Sequence, residues 1–246
     1  MEKRIIALLC MAAATIVPAA ADDFDAGLWL GADATVKLNK KWNLNFGAQY
    51  RTRNNFRTTE RFGLSAGAGY KFNKHLKASA GYIFFVNNFE EKLEYKTSST
   101  QWMPSYYGVR HRFFAAIQGD VDAGRFNIAL RQRWQYTYRP QGDDKIYKYD
   151  TDDGTYTMKD RKGAAEHILR TRLKIEYNIP KCPVDPYVYG ELFYNGHGME
   201  KYRAFAGAEW KINKQHSFDF GCVYQREAAS DGYNFVAPMI NYNIKF

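Results

Sequence analysis

The chain has 246 residues, a formal net charge of +9, 17% aromatic residues and a mean hydropathy of −0.55. Beyond the N-terminal segment no run of about 18 apolar residues occurs, which excludes a transmembrane helix. Only Cys182 and Cys222 remain there, too few for a disulfide framework.

The first segment, "MEKRIIALLCMAAATIVPAAADD", reads as a cleaved signal peptide over residues 1–21. Lys3 and Arg4 form its basic start, Ile5 to Val17 its apolar stretch, and Ala19, Ala20 and Ala21 its cleavage site before Asp22. Leu9 is too large to make Cys10 a lipidated residue. Residues 22–246 then form a single domain.

From there the chain alternates with period two. Residues 42–51 set Trp42, Leu44, Phe46, Ala48 and Tyr50 against Asn43, Asn45, Gln49 and Arg51. Residues 61–72 set Phe62, Leu64, Ala66, Ala68, Tyr70 and Phe72 against Arg61, Ser65, Lys71 and three glycines. Residues 126–139 repeat the pattern with Phe126, Ile128, Leu130, Trp134, Tyr136 and Tyr138 on the apolar side. Each is a strand with one apolar and one polar face. Eleven such strands can be read, at 27–38, 42–53, 60–72, 75–87, 106–118, 125–139, 164–178, 186–195, 201–212, 216–227 and 233–246.

Three connections are alike: "LNKKW" at 38–42, "FNKHL" at 72–76 and "INKQH" at 212–216. Each predicts a tight hairpin. "GDVDAG" at 119–124 and "PKCPVDP" at 180–186 are slightly longer turns. The remaining connections are longer and more polar, the two longest at 88–105 and 140–163; within the second, "KIYKYDTDDGTYTMK" predicts a projecting hairpin. Short turns alternating with long loops predict an all-β, antiparallel up-and-down transmembrane barrel, with the short turns on the periplasmic side. Bacterial barrels usually have an even strand number. The expectation is therefore twelve strands, one of them unread near 22–39, with ten as the alternative. Pro238 alone interrupts a predicted strand.

Strands of about ten residues or more, aromatic residues toward strand ends, and a polar face too rich in Arg, Lys, Gln and Asn for a dry core favour a membrane barrel over a soluble one. The expected place is the outer membrane of a Gram-negative bacterium. The chain ends "INYNIKF", and Tyr242, Ile244 and Phe246 read as the lipid-facing C-terminal signal for barrel-assembly machinery. Membrane lipid and that machinery are the expected partners, and the barrel is expected to be a monomer.

"DAGLWLGADATVKLNKKWNLNFGAQYRTR" (25–53) and "SAGAGYKFNKHLKASAGYIF" (65–84) combine a Trp soon after the leader, an N-K-K/H turn and a strand ending in Gln/Glu-x-Arg. Over nearly the whole mature chain this resembles the domain of unknown function 2490 family of predicted Gram-negative outer-membrane barrels. The resemblance implies fold and location, and carries no catalytic or ligand residues.

If the apolar face meets lipid, the other face lines a lumen. Inward positions on three consecutive strands include Arg110, Arg112, Arg131, Arg133, Arg139, Arg170, Arg172 and Lys174, a basic ladder with Glu166 and Glu176 beside it. Arginine rings suit anion and phosphate pores, and the planar guanidinium binds carboxylates bidentately. The functional reading is a small passive channel with anion preference, its solute a small anion. The alternative is a structural or assembly barrel whose lumen is sealed by salt bridges, with Glu191, Glu209, Asp219 and Asp33 pairing to the arginines.

A lipid-modifying enzyme is the third reading. It needs a nucleophile beside a base, but His111 and His167 fall on the lipid face and Ser65, Ser79 and Ser217 on the other. No G-x-S-x-G elbow occurs, so no catalytic residues, cofactor or metal are expected. His75, His197 and His216 are too scattered for a metal site, and "YDTDDGTYTMKD" lacks calcium-loop spacing. Strand-buried arginines do not make a nucleic-acid surface. Cys182, in a turn, and Cys222, mid-strand, are expected to be free thiols.

Overall fold

The computed structural model describes residues 24–142, 145–228 and 234–246; the leader expected at 1–21 lies outside them. The alternating segments form strands β1 (Phe24–Ala26), β2 (Trp29–Lys37), β3 (Trp42–Arg53), β4 (Thr58–Lys71), β5 (Leu76–Phe89), β8 (Tyr106–Ala123), β9 (Phe126–Arg139), β12 (Ala164–Tyr177), β13 (Val184–Asn195), β14 (Gly198–Lys211), β15 (His216–Glu227) and β16 (Asn234–Lys245). Four short strands, β6 (Lys92–Lys96), β7 (Ser99–Met103), β10 (Lys145–Asp150) and β11 (Tyr156–Asp160), lie within the two longest connections. Among the described residues there is no helix.

The main sheet closes on itself. Each neighbour from β2 round to β16 is antiparallel, but β16 then pairs in parallel with β2, Met239–Lys245 against Trp29–Thr35. The barrel therefore has eleven strands around its wall, with β1 added as a short extension paired to β16. This corrects the expected twelve or ten antiparallel strands. Eleven strands are joined by ten antiparallel steps, an even number that leaves the first and last strands pointing the same way, and closure then requires one parallel seam. Parity, imposed on the count, misled; the eleven alternating segments were the wall.

The seam also explains two breaks. Between β1 and β2 the chain leaves the ladder at Gly27, whose added Cβ would lie 2.0 Å from the Thr52 carbonyl oxygen, so only glycine fits. Opposite that gap, between the registers Ala26↔Val236 and Trp29↔Met239, stands Pro238. Its missing N–H falls where the parallel partner strand is interrupted, so the proline is tolerated within β16.

The three N-K turns share one geometry. Asn39 Oδ1 accepts from the N–H of Lys41 (2.8 Å) and Trp42 (2.9 Å). Asn73 accepts likewise from His75 and Leu76, and Asn213 from Gln215 and His216. The asparagine side chain supplies the acceptor that the reversing backbone lacks, as in an Asx turn. At the opposite end two connections are tight, contrary to the expected long polar loops. Residues 54–57 turn through Asn54, Asn55 and Phe56, all at positive φ, with the N–H of Asn54 and Asn55 bound to Asp25. Gly196 and His197 alone link β13 to β14.

The longest connections at that end rise into a second sheet, ordered β11-β10-β7-β6. The projecting hairpin read at 145–159 is β10–β11, and residues 88–105 contribute the second hairpin. The Lys148 ammonium, 3.0 Å from Asp150, and the N–H of Asp152 hold the Asp150 carboxyl below its ordinary range.

Period two sorts the side chains. Trp42, Phe46, Tyr50, Phe62, Leu64, Phe113, Ile117, Leu130, Leu173 and Ile240 stand exposed on the outer wall. Polar atoms among them find side-chain partners: Tyr82 OH meets His111 Nδ1 at 2.7 Å, His216 Nδ1 meets Tyr242 OH at 2.6 Å, and Thr171 Oγ1 donates to Gln132 Oε1 at 2.7 Å. Inside, Trp29, Tyr187, Phe205, Val223, Phe235 and Ala237 form a buried cluster on the β13–β2 wall. Facing it, Phe85 is 1% exposed and lies over Gly63, where a Cβ would approach its ring to 2.7 Å. Both cysteines are free, Cys182 beside the β12–β13 turn and Cys222 buried on β15.

Candidate lumen site

The inner wall carries one continuous row across four strands. Arg131 on β9 faces Arg172 on β12, Arg172 faces Glu191 on β13, and Glu191 faces Arg203 on β14. One step nearer the long-loop end, Arg133 faces Arg170, and Arg170 faces Phe193. Like charges directly opposite repel, so the row needs an anion. Glu191 supplies it. Its carboxylate accepts from Arg170 Nη2 and Arg172 Nε, and lies 3.8 Å from Arg131 and from Arg203. The Glu191 side chain is 1% exposed, sealed among these four cations.

Aromatic rings carry the remaining contacts. The Arg133 guanidinium sits 3.7 Å from the centre of the Phe114 ring, Arg172 4.3 Å from Tyr189, and Arg112 4.9 Å from Phe85. These cation–π contacts stabilise charge where water is scarce. Arg112 Nε also donates to Thr137 Oγ1 (2.8 Å). Arg110 lies over Phe89, and Arg139 donates to the Tyr106 hydroxyl and the Lys162 carbonyl at the long-loop rim. Lys174 reaches Glu176 (2.6 Å) and the Tyr187 ring (3.9 Å).

The acids divide differently from expectation. Glu191 alone gathers arginines of the ladder; Glu176 pairs with Lys174, and Glu166 is exposed at the long-loop rim. Glu209 and Asp219 face each other near the short-turn end. There Asp219 accepts from Tyr187 OH (2.9 Å) and Asn243 Nδ2 (2.7 Å), while Asp33 accepts from Asn241 Nδ2 (3.0 Å). Strand rise separates them from the arginine row: Glu209 lies six residues below Arg203, about 20 Å along β14. Charge is thus segregated along the barrel axis.

Three further residues complete the basic layer. Arg51 lies 3.8 Å from the Trp29 ring centre, Arg203 lies 4.9 Å from it, and Arg61 pairs with Glu60 at 2.7 Å. Their inward parity is the signal that marks them, the same signal that marks the ladder; they lie on the wall formed by the first and the late strands. A cavity of about 310 Å³ opens toward the short-turn end, lined by Arg51, Arg170, Arg172, Arg203 and Glu191 above, by Lys174 between, and by Asp33, Asp219, Asn241 and Asn243 below. A second of about 280 Å³ lies on the long-loop side, and Trp29 and Arg203 line both.

The histidines fall in the outer aromatic belt. His111 packs with Tyr82, Phe84 and Tyr138, and His167 with Trp134 and Tyr136. Ser65 and Ser217 stand on the inner wall, across the sheet from both rings. Among the described residues no group of three His, Cys, Asp or Glu side chains is placed to hold a metal ion. On the outer wall, Tyr242 and Ile244 lie at the end of β16 and Phe246 follows it, its N–H donating to the Thr35 carbonyl at 2.8 Å.

Residues 26–236 match a family model described as a protein of unknown function (DUF2490). Neither a curated protein nor a solved structure matches the chain.

Proposed function

We propose that this chain, which belongs to the DUF2490 family of proteins of unknown function, is a non-enzymatic outer-membrane β-barrel with its lumen closed at mid-height. The carrying observation is Glu191, 1% exposed where four guanidinium groups converge. Phe85, Phe205 and Val223 fill the space around the same level, all 2% exposed or less. A water-filled pore would leave such side chains wet. The sealed lumen is therefore favoured over the passive anion channel.

Membrane placement is supported by the outer wall. Its apolar belt faces outward, and three polar pairs on it, Tyr82 with His111, Tyr242 with His216 and Thr171 with Gln132, satisfy one another, as a medium without water demands. Flotation of membranes from cells expressing the chain tests location: the protein is expected with the outer-membrane fraction, and recovery in the soluble fraction overturns it.

Reconstitution in a planar bilayer tests closure. The wild-type barrel is expected to give no conductance steps at moderate voltage; regular steps overturn the sealed reading. The channel reading keeps one supporting observation, because the cavities on either side share Trp29 and Arg203 as their partition. On that reading Trp29→Ala would produce anion-selective steps, and Arg131→Ala with Arg133→Ala would weaken the selectivity.

A further inference from the structure

The cavity on the short-turn side carries Arg51 and Arg203 at one end and the carboxylates of Asp33 and Asp219 at the other. At its upper end the Arg51 guanidinium lies on the Trp29 ring, and Arg203 lies against the same ring. Trp29 is 6% exposed, yet its Nε1 donor has no hydrogen-bond partner among the described residues, and the same holds for Arg170 Nε. Both residues line this cavity. Buried donors without acceptors are costly unless a ligand or ordered water supplies them. At the lower end Asp33 and Asp219 are held by the amides of Asn241 and Asn243 rather than by a cation.

The wall sets the separation. Arg51 is opposite Trp29 and Asp33 is opposite Gly47, four residues farther along each strand, about 13 Å of rise. A purely structural network would draw such groups into contact, as Glu191 draws Arg170 and Arg172. Here amides hold Asp33 and Asp219, Glu176 engages Lys174, which also lines the cavity, and the arginines lie across space large enough for a small solute.

We propose that this cavity binds a small, extended dipolar solute. Its oxyanion sits at Arg51, Arg203 and the Trp29 Nε1 donor, and its ammonium group sits at Asp33 and Asp219. Rise of this size favours charges at opposite ends of a chain over an α-amino acid, whose charges share one carbon. The site is closed on the far side by the layer around Glu191, so it is a binding pocket and not a path. It depends on the lumen cavity and is independent of conductance: steps in a bilayer with binding intact would remove only the sealed-lumen reading.

Calorimetry on the detergent-purified barrel, at fixed ionic strength, tests this with three probes of matched length: 5-aminovalerate, valerate and pentylamine. Saturable binding of 5-aminovalerate is expected, with valerate and pentylamine each at least tenfold weaker. Arg51→Gln should erase the contribution of the carboxylate, leaving 5-aminovalerate no tighter than pentylamine. Asp33→Asn, which keeps the acceptor for Asn241, should weaken 5-aminovalerate at least tenfold while leaving valerate unchanged. Folding of each variant is checked by heat-modifiable gel mobility, and the wild-type comparison stands without them. Absence of saturable 5-aminovalerate binding, or a half-molecule binding as tightly as the whole, overturns the proposal.

Discussion

Arg131 and Arg172 stand directly opposite each other on neighbouring antiparallel strands, two cations in a position where sheets normally pair opposite charges. The pair is tolerated because Glu191 lies next along the row and is shared with Arg170 and Arg203. Removing that carboxylate leaves four guanidinium groups uncompensated in a lumen with little water. Glu191→Gln is expected to lower barrel stability by about 3–5 kcal/mol. Unfolding in guanidinium, followed by tryptophan fluorescence, measures it. Adding Arg172→Gln to Glu191→Gln should recover part of the loss, because one of the repelling charges goes with it. An unchanged midpoint in Glu191→Gln would mean that water screens the row.

Gly63 and Phe85 make a second, uncharged test of the filled interior. The Phe85 ring occupies the space that a side chain at residue 63 would need. Gly63→Leu should therefore destabilise by about 1–3 kcal/mol through overpacking. Phe85→Ala in the same chain should relieve the clash while opening a cavity. Gly190, with nothing within 4 Å of an added Cβ, is the control: Gly190→Ala should stay within about 0.5 kcal/mol. Thermal unfolding of the detergent-solubilised barrel reads all three.

Much of this was legible in the alternation. The strand segments, the three N-K turns and the inward parity of Arg110, Arg112, Arg131, Arg133, Arg170 and Arg172 follow from local pattern, because each side chain's face is set by counting in twos. Strand number was lost to a rule about parity; nothing local in Trp29–Lys37 says that its seam partner runs parallel. The acids were lost to height. Glu191, Glu209 and Asp219 share a face, but only registers between strands show that Glu191 lies level with Arg172 while Asp219 lies level with Asn241. The lumen cavity was invisible for the same reason, since it joins Arg51, Arg203 and Asp219 from distant parts of the chain.

The membrane placement proposed for the outer wall makes a prediction that separates lipid from detergent. Leu64 is near the middle of β4 and points outward, exposed. Leu64→Arg should cost about 2–4 kcal/mol at a bilayer midplane. Gln49, on the inner wall and lining a lumen cavity, offers the comparison Gln49→Lys, which meets no hydrocarbon. Folding into lipid vesicles against urea should therefore be impaired by Leu64→Arg far more than refolding into detergent micelles. Equal effects of Leu64→Arg in both media would argue that this face does not contact lipid.

Phe246 allows stability and assembly to be pulled apart. Its backbone is fixed at the seam: its N–H donates to Thr35 and its carbonyl accepts from Lys37 N–H at 3.1 Å. The residue is 62% exposed, on the outer wall. Phe246→Ala keeps both backbone bonds and removes little buried surface, so stability of the purified barrel in detergent should change by no more than about 0.5 kcal/mol. If the terminal aromatic is what assembly machinery recognises, the same substitution should reduce the amount of folded, heat-modifiable barrel recovered from cells several-fold. Deleting Phe246 outright should do both, since the parallel seam then loses its last latch. Full recovery of Phe246→Ala from the outer membrane would show that the closing strand enters without help from its final ring, and that Phe246 serves the seam alone.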